Sequence, residues 1–170
     1  MYRLKGSLPK HSLRLLYTAL LSPYLHYCTV VWAGGHLNTL KTIHVLQKRA
    51  IRIICGAHYL AESAPLFKSL GLLKIHVIYK FQLAILMYQH HMGTLPHLFK
   101  AYFVTHVETH SYNTRHKLNY RYEVARTNVR YFSAKIAGPK LWNSISAYIR
   151  DSRSQTTFKN AYKSFLLDLY

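Results

Sequence analysis

The sequence predicts a mainly α fold, an irregular bundle of about six helices with a long basic loop and room for one short strand. Three observations predict it. Apolar residues recur at helical spacing along most of the chain, glycines and prolines stand where these patterns stop, and 50% of the 170 residues are apolar. A chain of this length and composition can bury a packed core.

The first predicted helix runs through the apolar stripe of Leu13–Leu21. Ser22 and Pro23 interrupt it, because proline disfavours a helical conformation in the residue before it. The segment Tyr24–Trp32 is then a second helix or a kinked continuation of the first, and the Gly-Gly pair after it ends it.

The clearest amphipathic helix spans Leu37–Cys55, where apolar residues form one stripe and basic residues occupy the other faces. Asn38 or Thr39 can cap its start, and Gly56 can close its end. This helix carries the first cluster of basic residues, so its orientation matters for any function based on charge.

Two further helices and a turn complete the first part of the chain. A short helix is predicted from a cap at Ser63 to Leu70, and a long one covers Ile75–Met92. Pro65 is tolerated in the first turn of the short helix. Glycines come after both helices, as expected at C-terminal caps. A last short turn is predicted over Pro96–Phe103.

The pattern changes after Val104. The segment Val104–Tyr122 is rich in His, Thr, Asn, Tyr and Arg and has no period, which predicts a long irregular loop. Arg130–Ile136 alternates weakly and is the predicted short strand. We predict a helix that begins at Gly138-Pro139 and a last helix from Thr156, capped by Ser154. Three regions result: helical residues 1–103, a basic irregular loop region 104–137, and a C-terminal helical segment 138–170.

Charge is the strongest functional signal. The chain has 23 Lys plus Arg against 5 Asp plus Glu, a formal net charge of +18. Such a chain repels itself unless a polyanion neutralises it. Nucleic acid is the expected partner, because each phosphate neutralised by a cation releases a condensed counter-ion. A ribosome-like structural role, an anionic membrane surface and acidic protein neighbours are the alternatives.

The basic residues form two clusters. Three of them share the amphipathic helix, and the rest continue through the loop region, interleaved with tyrosines. Arginine forks fit phosphate oxygens, and a tyrosine ring can stack on an unpaired base. The predicted nucleic-acid-binding residues are Lys48, Arg49, Arg52, Arg115, Lys117, Arg121, Arg126 and Arg130, with Tyr112 as the stacking residue. For any one of them, a solvated surface charge is the alternative.

The acidic residues argue against a catalytic centre. The five are Glu62, Glu108, Glu123, Asp151 and Asp168, and no two lie nearer than 15 residues in sequence. Two-metal nucleotidyl transfer needs carboxylates that converge on paired ions. We therefore predict no catalytic residues and no cofactor.

Histidines and cysteines give no clear metal site. His106, His110 and His116 could supply three imidazoles, but a loop does not place them on one face. Cys28 and Cys55 are 27 residues apart, without the paired spacing of a zinc ribbon. We predict no metal site. Free cysteines among apolar residues also favour an intracellular location, nuclear or cytoplasmic.

One segment is long enough to span a membrane. Leu15–Leu40 contains no Lys, Arg, Asp or Glu. Pro23 and the Gly-Gly pair interrupt it, which favours a buried helical hairpin. Association with a membrane is the alternative interpretation of this segment.

These residues together resemble a known family. Leu16–Tyr27 (LYTALLSPYLHY), with Val31-Trp32 after it, is similar to the region after the palm in reverse transcriptases of jockey-type non-LTR retrotransposons. Leu46–Ile54 (LQKRAIRII) resembles the family's LQK-x-A-x-R-x-I helix. Ser111–Arg115 (SYNTR) is similar to its H-x-Y-x-T-R loop, and Gly138–Ile145 (GPKLWNSI) to its C-terminal signature. Shorter matches keep the same order between Leu13 and Leu169. Ser146 departs from the family, which often has proline there.

The resemblance implies a thumb and post-thumb region. The family's fingers and palm, with the Tyr-x-Asp-Asp motif, would lie upstream, and Met1 resembles the start of a truncated reading frame. On this interpretation residues 1–103 are thumb-like, and the chain grips RNA or an RNA–DNA duplex by its phosphates without catalysis of its own. The alternatives are a protein–protein module that packs on the palm and fingers of a related polymerase, and a membrane-associated helical protein.

Overall fold

The computed structural model describes residues 5–35, 37–109 and 117–170. Helices dominate these residues, which confirms the predicted mainly α class. The chain divides by its contacts into two compact units, Met1–Tyr79 with Ser164–Tyr170, and Lys80–Lys163. The three regions predicted above were defined by composition, and their boundaries differ from those of the two units. This division stays a prediction.

The helices are numbered in chain order. They are α1 Lys10–Leu16, α2 Ser22–His26, α3 Thr29–Trp32, α4 Leu37–Cys55, α5 Ala64–Leu70, α6 Ile75–His91, α7 His106–Thr109, α8 Asn128–Tyr131, α9 Ala134–Ser144, α10 Ala147–Arg150 and α11 Gln155–Asp168. A π-helical segment, Tyr17–Leu21, joins α1 to α2, and His97–Phe99 is a single 3-10 turn.

The core of the first unit lies between α1, α4 and α5. Its buried residues are Leu13, Tyr17, Ala50, Ile51, Ile54, Phe67 and Leu70. The predicted stripe of α4 supplies Ala50 and Ile54, because residues three and four apart share a helix face. Leu46, which the same stripe includes, is exposed instead. Gly56 and Gly71 end α4 and α5 with φ of +64° and +63°, a conformation that favours glycine.

A buried glutamine links three parts of the first unit. The side chain of Gln47, on α4, is 4% exposed. Its amide nitrogen donates to the hydroxyl of Tyr17 (3.0 Å) and to the carbonyl of Leu73 (2.8 Å). Its amide oxygen accepts from the backbone N–H of Ile75 (2.9 Å), the first residue of α6. Gln47 thus satisfies a helix-start donor that has no partner within its own helix.

The first predicted helix does not break at Pro23. The chain stays helical there, because the π-helical segment before it bonds the N–H of Ser22 to the carbonyl of Tyr17, five residues back. The actual break comes at Cys28, which has a left-handed conformation with φ of 48°. Asn38 and Thr39, the residues predicted to cap α4, lie inside its first turn.

The core of the second unit is aromatic. The rings of Tyr88 and Phe158 stack with centroids 4.5 Å apart, and Trp142 lies against both. The hydroxyl of Tyr88 donates to the carbonyl of Ser152 (2.7 Å), so its buried polar atom is satisfied. Tyr162 stacks on Phe158, and its burial raises its pKa to about 12.

Two predictions for the second unit are wrong. Arg130–Ile136 is not a strand: α8 ends and α9 begins within it. Gly138 and Pro139 do not open a helix but lie inside α9, both buried. Packing explains this, because a Cβ on Gly138 would lie 2.8 Å from Sδ of Met87, so glycine lets α9 approach α6 closely.

The predicted loop Val104–Tyr122 contains more order than expected in its described residues. Thr105 and Tyr120 form an antiparallel bridge, and α7 begins directly after Thr105. The side-chain amide of Asn143, on α9, holds the backbone of Tyr120 from both sides: its oxygen accepts from the N–H (3.0 Å) and its nitrogen donates to the carbonyl (2.8 Å). Ser154 caps α11 as predicted, accepting from the N–H of Thr157 (3.2 Å).

Length and apolar composition decide whether a helix could cross a bilayer. No single helix in the described residues, including those of the Leu15–Leu40 segment, is long and apolar enough to do so. The bent pair α5 and α6 has the necessary length and composition when the two are taken together.

Candidate nucleic-acid interface

The first basic cluster lines a groove on the first unit. Lys48, Arg49 and Arg52 lie on one stretch of α4, and Lys5 and Tyr59 complete the walls of a cavity of about 630 Å³. Val45, Ile53 and Ala57 supply its apolar lining. We call this the α4 groove. Spacings of one, three and four residues on a helix allow the three cations to border one space.

Arg52 also fixes one wall of the α4 groove. Its Nε donates to the carbonyl of Ala61 (2.8 Å), which ties the end of α4 to the turn that carries Tyr59. The N–H of Ala61 in turn donates to the carbonyl of His58 (3.0 Å). This hydrogen bond therefore orients the guanidinium group of Arg52 within the groove.

The lining of the α4 groove is positively charged. Among the described residues it includes four cations and no carboxylate. The field also reaches His44 on α4, where burial and then the charge of Lys48 lower the imidazole pKa. The pKa of Lys74 is lowered by burial, with Lys48 contributing and Glu62 opposing. A cluster of like charges is costly for the free protein and is relieved by a bound anion.

The second unit has its own basic groove. Arg121, Arg130 and Lys135 line a cavity of about 480 Å³ together with Tyr102 and Tyr122. We call this the Arg121 groove. The Nζ of Lys135 lies 5.9 Å from the ring centre of Tyr102, within the range of a cation–π contact.

Arg130 differs from the prediction in one respect. Its guanidinium forms an exposed ion pair and hydrogen bond with Glu123, which also lines the Arg121 groove. Arg130 is therefore already partly neutralised, and a phosphate would have to compete with Glu123 for it. Arg121 and Lys135 are the better-placed cations of this groove.

Two of the remaining predicted residues, Lys117 and Arg126, are exposed and line neither groove. Tyr112 and Arg115 lie outside the described residues. Of the predicted set, the structure groups Lys48, Arg49 and Arg52 in one groove and Arg121 and Arg130 in the other.

Three of the five acids have local partners. Glu123 pairs with Arg130, Asp168 pairs with Lys68 (3.1 Å), and Glu108 accepts from the N–H and hydroxyl of Thr105 (2.6 and 2.9 Å). Within residues 5–35, 37–109 and 117–170, no group of three or more His, Cys, Asp or Glu is placed to hold a metal ion. His110 and His116 are not in those ranges.

The predicted binding set lacks five basic or tyrosine residues of the two grooves, namely Lys5, Tyr59, Tyr102, Tyr122 and Lys135. Lys5 lies far before the basic cluster of α4 in sequence, and Tyr59 lies beyond the end of α4. Only the tertiary structure brings these two residues to the cluster. The position of Tyr59, in the turn after Gly56 ends α4, could have indicated a binding residue in the sequence, because binding residues are concentrated in loops and turns.

The sequence matches no protein-family model, and its comparison with curated proteins and with solved structures gives no significant match. The resemblance to retrotransposon reverse transcriptases therefore stays a prediction from the residues quoted above.

Proposed function

We propose that this chain is a nucleic-acid-binding helical region, of the kind that comes after the palm in non-LTR retrotransposon reverse transcriptases. It grips RNA or an RNA–DNA duplex through backbone phosphates and carries no catalytic centre of its own. In a parent enzyme of this kind it would act as a thumb, holding template and primer while a separate palm performs the chemistry.

One observation carries the proposal: among the residues that the structure describes, four cations and no carboxylate line the α4 groove. Three of them, Lys48, Arg49 and Arg52, are residues that charge clustering in the sequence predicts. Arginine and lysine beside an apolar lining suit a nucleic-acid backbone. The cations can bind its phosphate oxygens, and the apolar lining can contact its sugars. The net charge of +18 adds long-range attraction to any polyanion.

The first test is the salt dependence of binding to an RNA–DNA duplex. We expect the logarithm of the binding constant to fall linearly with the logarithm of salt concentration. Replacing Lys48→Gln and Arg49→Gln together should weaken binding and reduce the slope by about one for each phosphate that is no longer neutralised. Fluorescence anisotropy of a labelled duplex over a salt series measures both quantities.

A charge-matched control is available on α1. Lys10 and Arg14 are exposed, and neither lines the α4 groove. Lys10→Gln with Arg14→Gln removes the same charge, so it should keep the slope of the wild-type chain. The proposal is contradicted if the two double variants behave alike, or if the wild-type chain fails to bind in dilute buffer.

A second candidate function is a protein–protein module, and exposed apolar side chains favour it. Leu20, Tyr24, Tyr27 and Val31 lie close in sequence, from the π-helical segment to α3, and their exposed fractions are 60%, 79%, 75% and 84%. Apolar side chains exposed to this degree in one short segment often meet another surface. Sedimentation velocity tests this: wild-type chain should self-associate, and Tyr24→Ser with Val31→Ser should reduce association. A monomeric wild-type chain would argue against this function.

A further inference from the structure

An exposed tyrosine stands beside the cations of the α4 groove. Tyr59 lines this groove and is 72% exposed. A large aromatic ring in water gains little from packing there, whereas an aromatic ring beside phosphate-binding cations is the usual platform for an unpaired base. Base stacking would therefore explain the position of Tyr59.

The turn that carries Tyr59 is held in place. Gly56 ends α4 in a left-handed conformation, and Arg52 binds the carbonyl of Ala61 on the far side of the turn. The imidazole of His58 lies against the tyrosine ring, with centroids 4.5 Å apart. Both ends of the turn are therefore tied to α4, which keeps the backbone at Tyr59 beside the cations of the groove.

We propose that the α4 groove binds single-stranded nucleic acid, with one unpaired base stacked on Tyr59 and the adjoining phosphates on Lys48 and Arg49. This inference rests on the function proposed above, since it requires phosphate binding in the same groove. It adds the strand form that the groove selects.

Geometry and stacking both favour a single strand. The faces of the bases in a duplex are stacked inside it, so Tyr59 can reach them only after base pairs open. The volume of about 630 Å³ is typical of sites for small ligands and suits a short stretch of one strand. A duplex would meet the cations at the rim and gain nothing from Tyr59.

The test compares an unstructured RNA with a duplex of the same sequence, both bound to the full chain. We expect Tyr59→Leu to weaken single-strand binding about 10-fold, because base–aromatic stacking is removed. Tyr59→Phe should keep nearly all of it, since the ring remains. Duplex binding and the salt slope should be unchanged in both variants, because every phosphate contact is kept.

Tyr148 provides the matched control. It is 88% exposed on α10 and lines neither groove, so Tyr148→Leu removes a ring that is at least as accessible as that of Tyr59. This variant should bind single strands like the wild-type chain. A circular dichroism spectrum shows whether each variant keeps its helices. Photocrosslinking of bound RNA to the wild-type chain should label the peptide that contains Tyr59, independently of any substitution.

The outcomes separate the inference from the function on which it rests. If single strands bind with normal salt dependence but Tyr59→Leu matches Tyr148→Leu, or if crosslinks lie only elsewhere, the inference is overturned and phosphate binding stands. If inorganic phosphate at low concentration displaces the RNA completely, the groove is an anion site without strand preference, which also overturns it. Absence of any salt-dependent binding overturns the proposed function as well.

Discussion

Replacing Gln47 is expected to destabilise the first unit more than any surface change on α4. The substitution Gln47→Leu keeps a side chain of similar size at a position that is 4% exposed, but removes both polar groups. The N–H of Ile75, the carbonyl of Leu73 and the hydroxyl of Tyr17 are then deprived of a partner inside the protein.

The magnitude can be worked out from these three hydrogen bonds. A buried polar group left without a partner costs about 1–3 kcal/mol. The N–H of Ile75 should carry the largest cost, because the first residues of α6 have no helical acceptor. The hydroxyl of Tyr17 can rotate, and leucine gains some apolar burial. We therefore expect a net destabilisation of about 3–5 kcal/mol, a large share of the roughly 5–15 kcal/mol typical of a domain.

Urea unfolding monitored by circular dichroism measures this free energy. Tyr17→Phe removes only one of the three hydrogen bonds and should cost about 1 kcal/mol, since Gln47 still donates to Leu73. Thr42→Ala, on an exposed position of α4, should change stability by less than about 0.5 kcal/mol. If Gln47→Leu lowers the free energy of unfolding no more than Thr42→Ala does, the three hydrogen bonds contribute nothing, which would contradict the expected loss.

Three further predictions concern both units. Asn143→Leu removes both hydrogen bonds to the backbone of Tyr120 and should cost about 2–3 kcal/mol in urea unfolding, whereas Ser144→Ala nearby should cost far less. Burial lowers the pKa values of His44 and His91 in the folded chain. The unfolded chain therefore binds more protons, and the stability of the fold should fall as pH drops below about 6.5. His44→Phe should flatten the dependence of the melting temperature on pH, and an unchanged dependence would contradict this. Burial raises the pKa of Tyr162 to about 12, so stability measured by urea unfolding should decrease as pH rises from about 10 towards 12. Tyr162→Phe should make that decrease smaller, and an unchanged decrease would contradict this.

The long helices of the first half were predictable because local signals agree there. In α4, α5 and α6 the apolar spacing and the closing glycines indicate nearly the same boundaries as the structure has. Each signal acts over a few residues, so the sequence contains it directly. The mainly α class is a consequence of these elements.

The errors lie where tertiary contacts override local preference. Proline usually marks a helix boundary, yet Pro139 is buried inside α9, and the packing of Trp142 from the same helix against Tyr88 and Phe158 stabilises this helix. The weak alternation of Arg130–Ile136 indicated a strand, but the short helix α8 and the start of α9 share it. Short apolar runs do not distinguish the two structures without knowledge of their neighbours.

The candidate site was predictable only in part. Lys48, Arg49 and Arg52 lie within five residues of one helix, so their proximity is determined by sequence spacing alone. Lys5 and Tyr59 reach the same groove through the fold of the first unit, which no local pattern indicates. Arg130 lies with Arg121 in one groove, but its pairing with Glu123 depends on loop geometry that charge counting does not contain.

The wide turn at Tyr17–Leu21 has an implication for how chains of this kind can vary in length. A π segment holds one residue more than an α-helix needs for the same path, and that residue rotates the next part of the helix by about 100° around its axis. Pro23 lies just after this segment, and in a regular α-helix its ring would collide with the carbonyl four residues earlier. Homologous chains should therefore have both the extra residue and the proline, or neither of them. We expect a chain to tolerate deletion of one residue from this segment only where another residue replaces the proline at position 23.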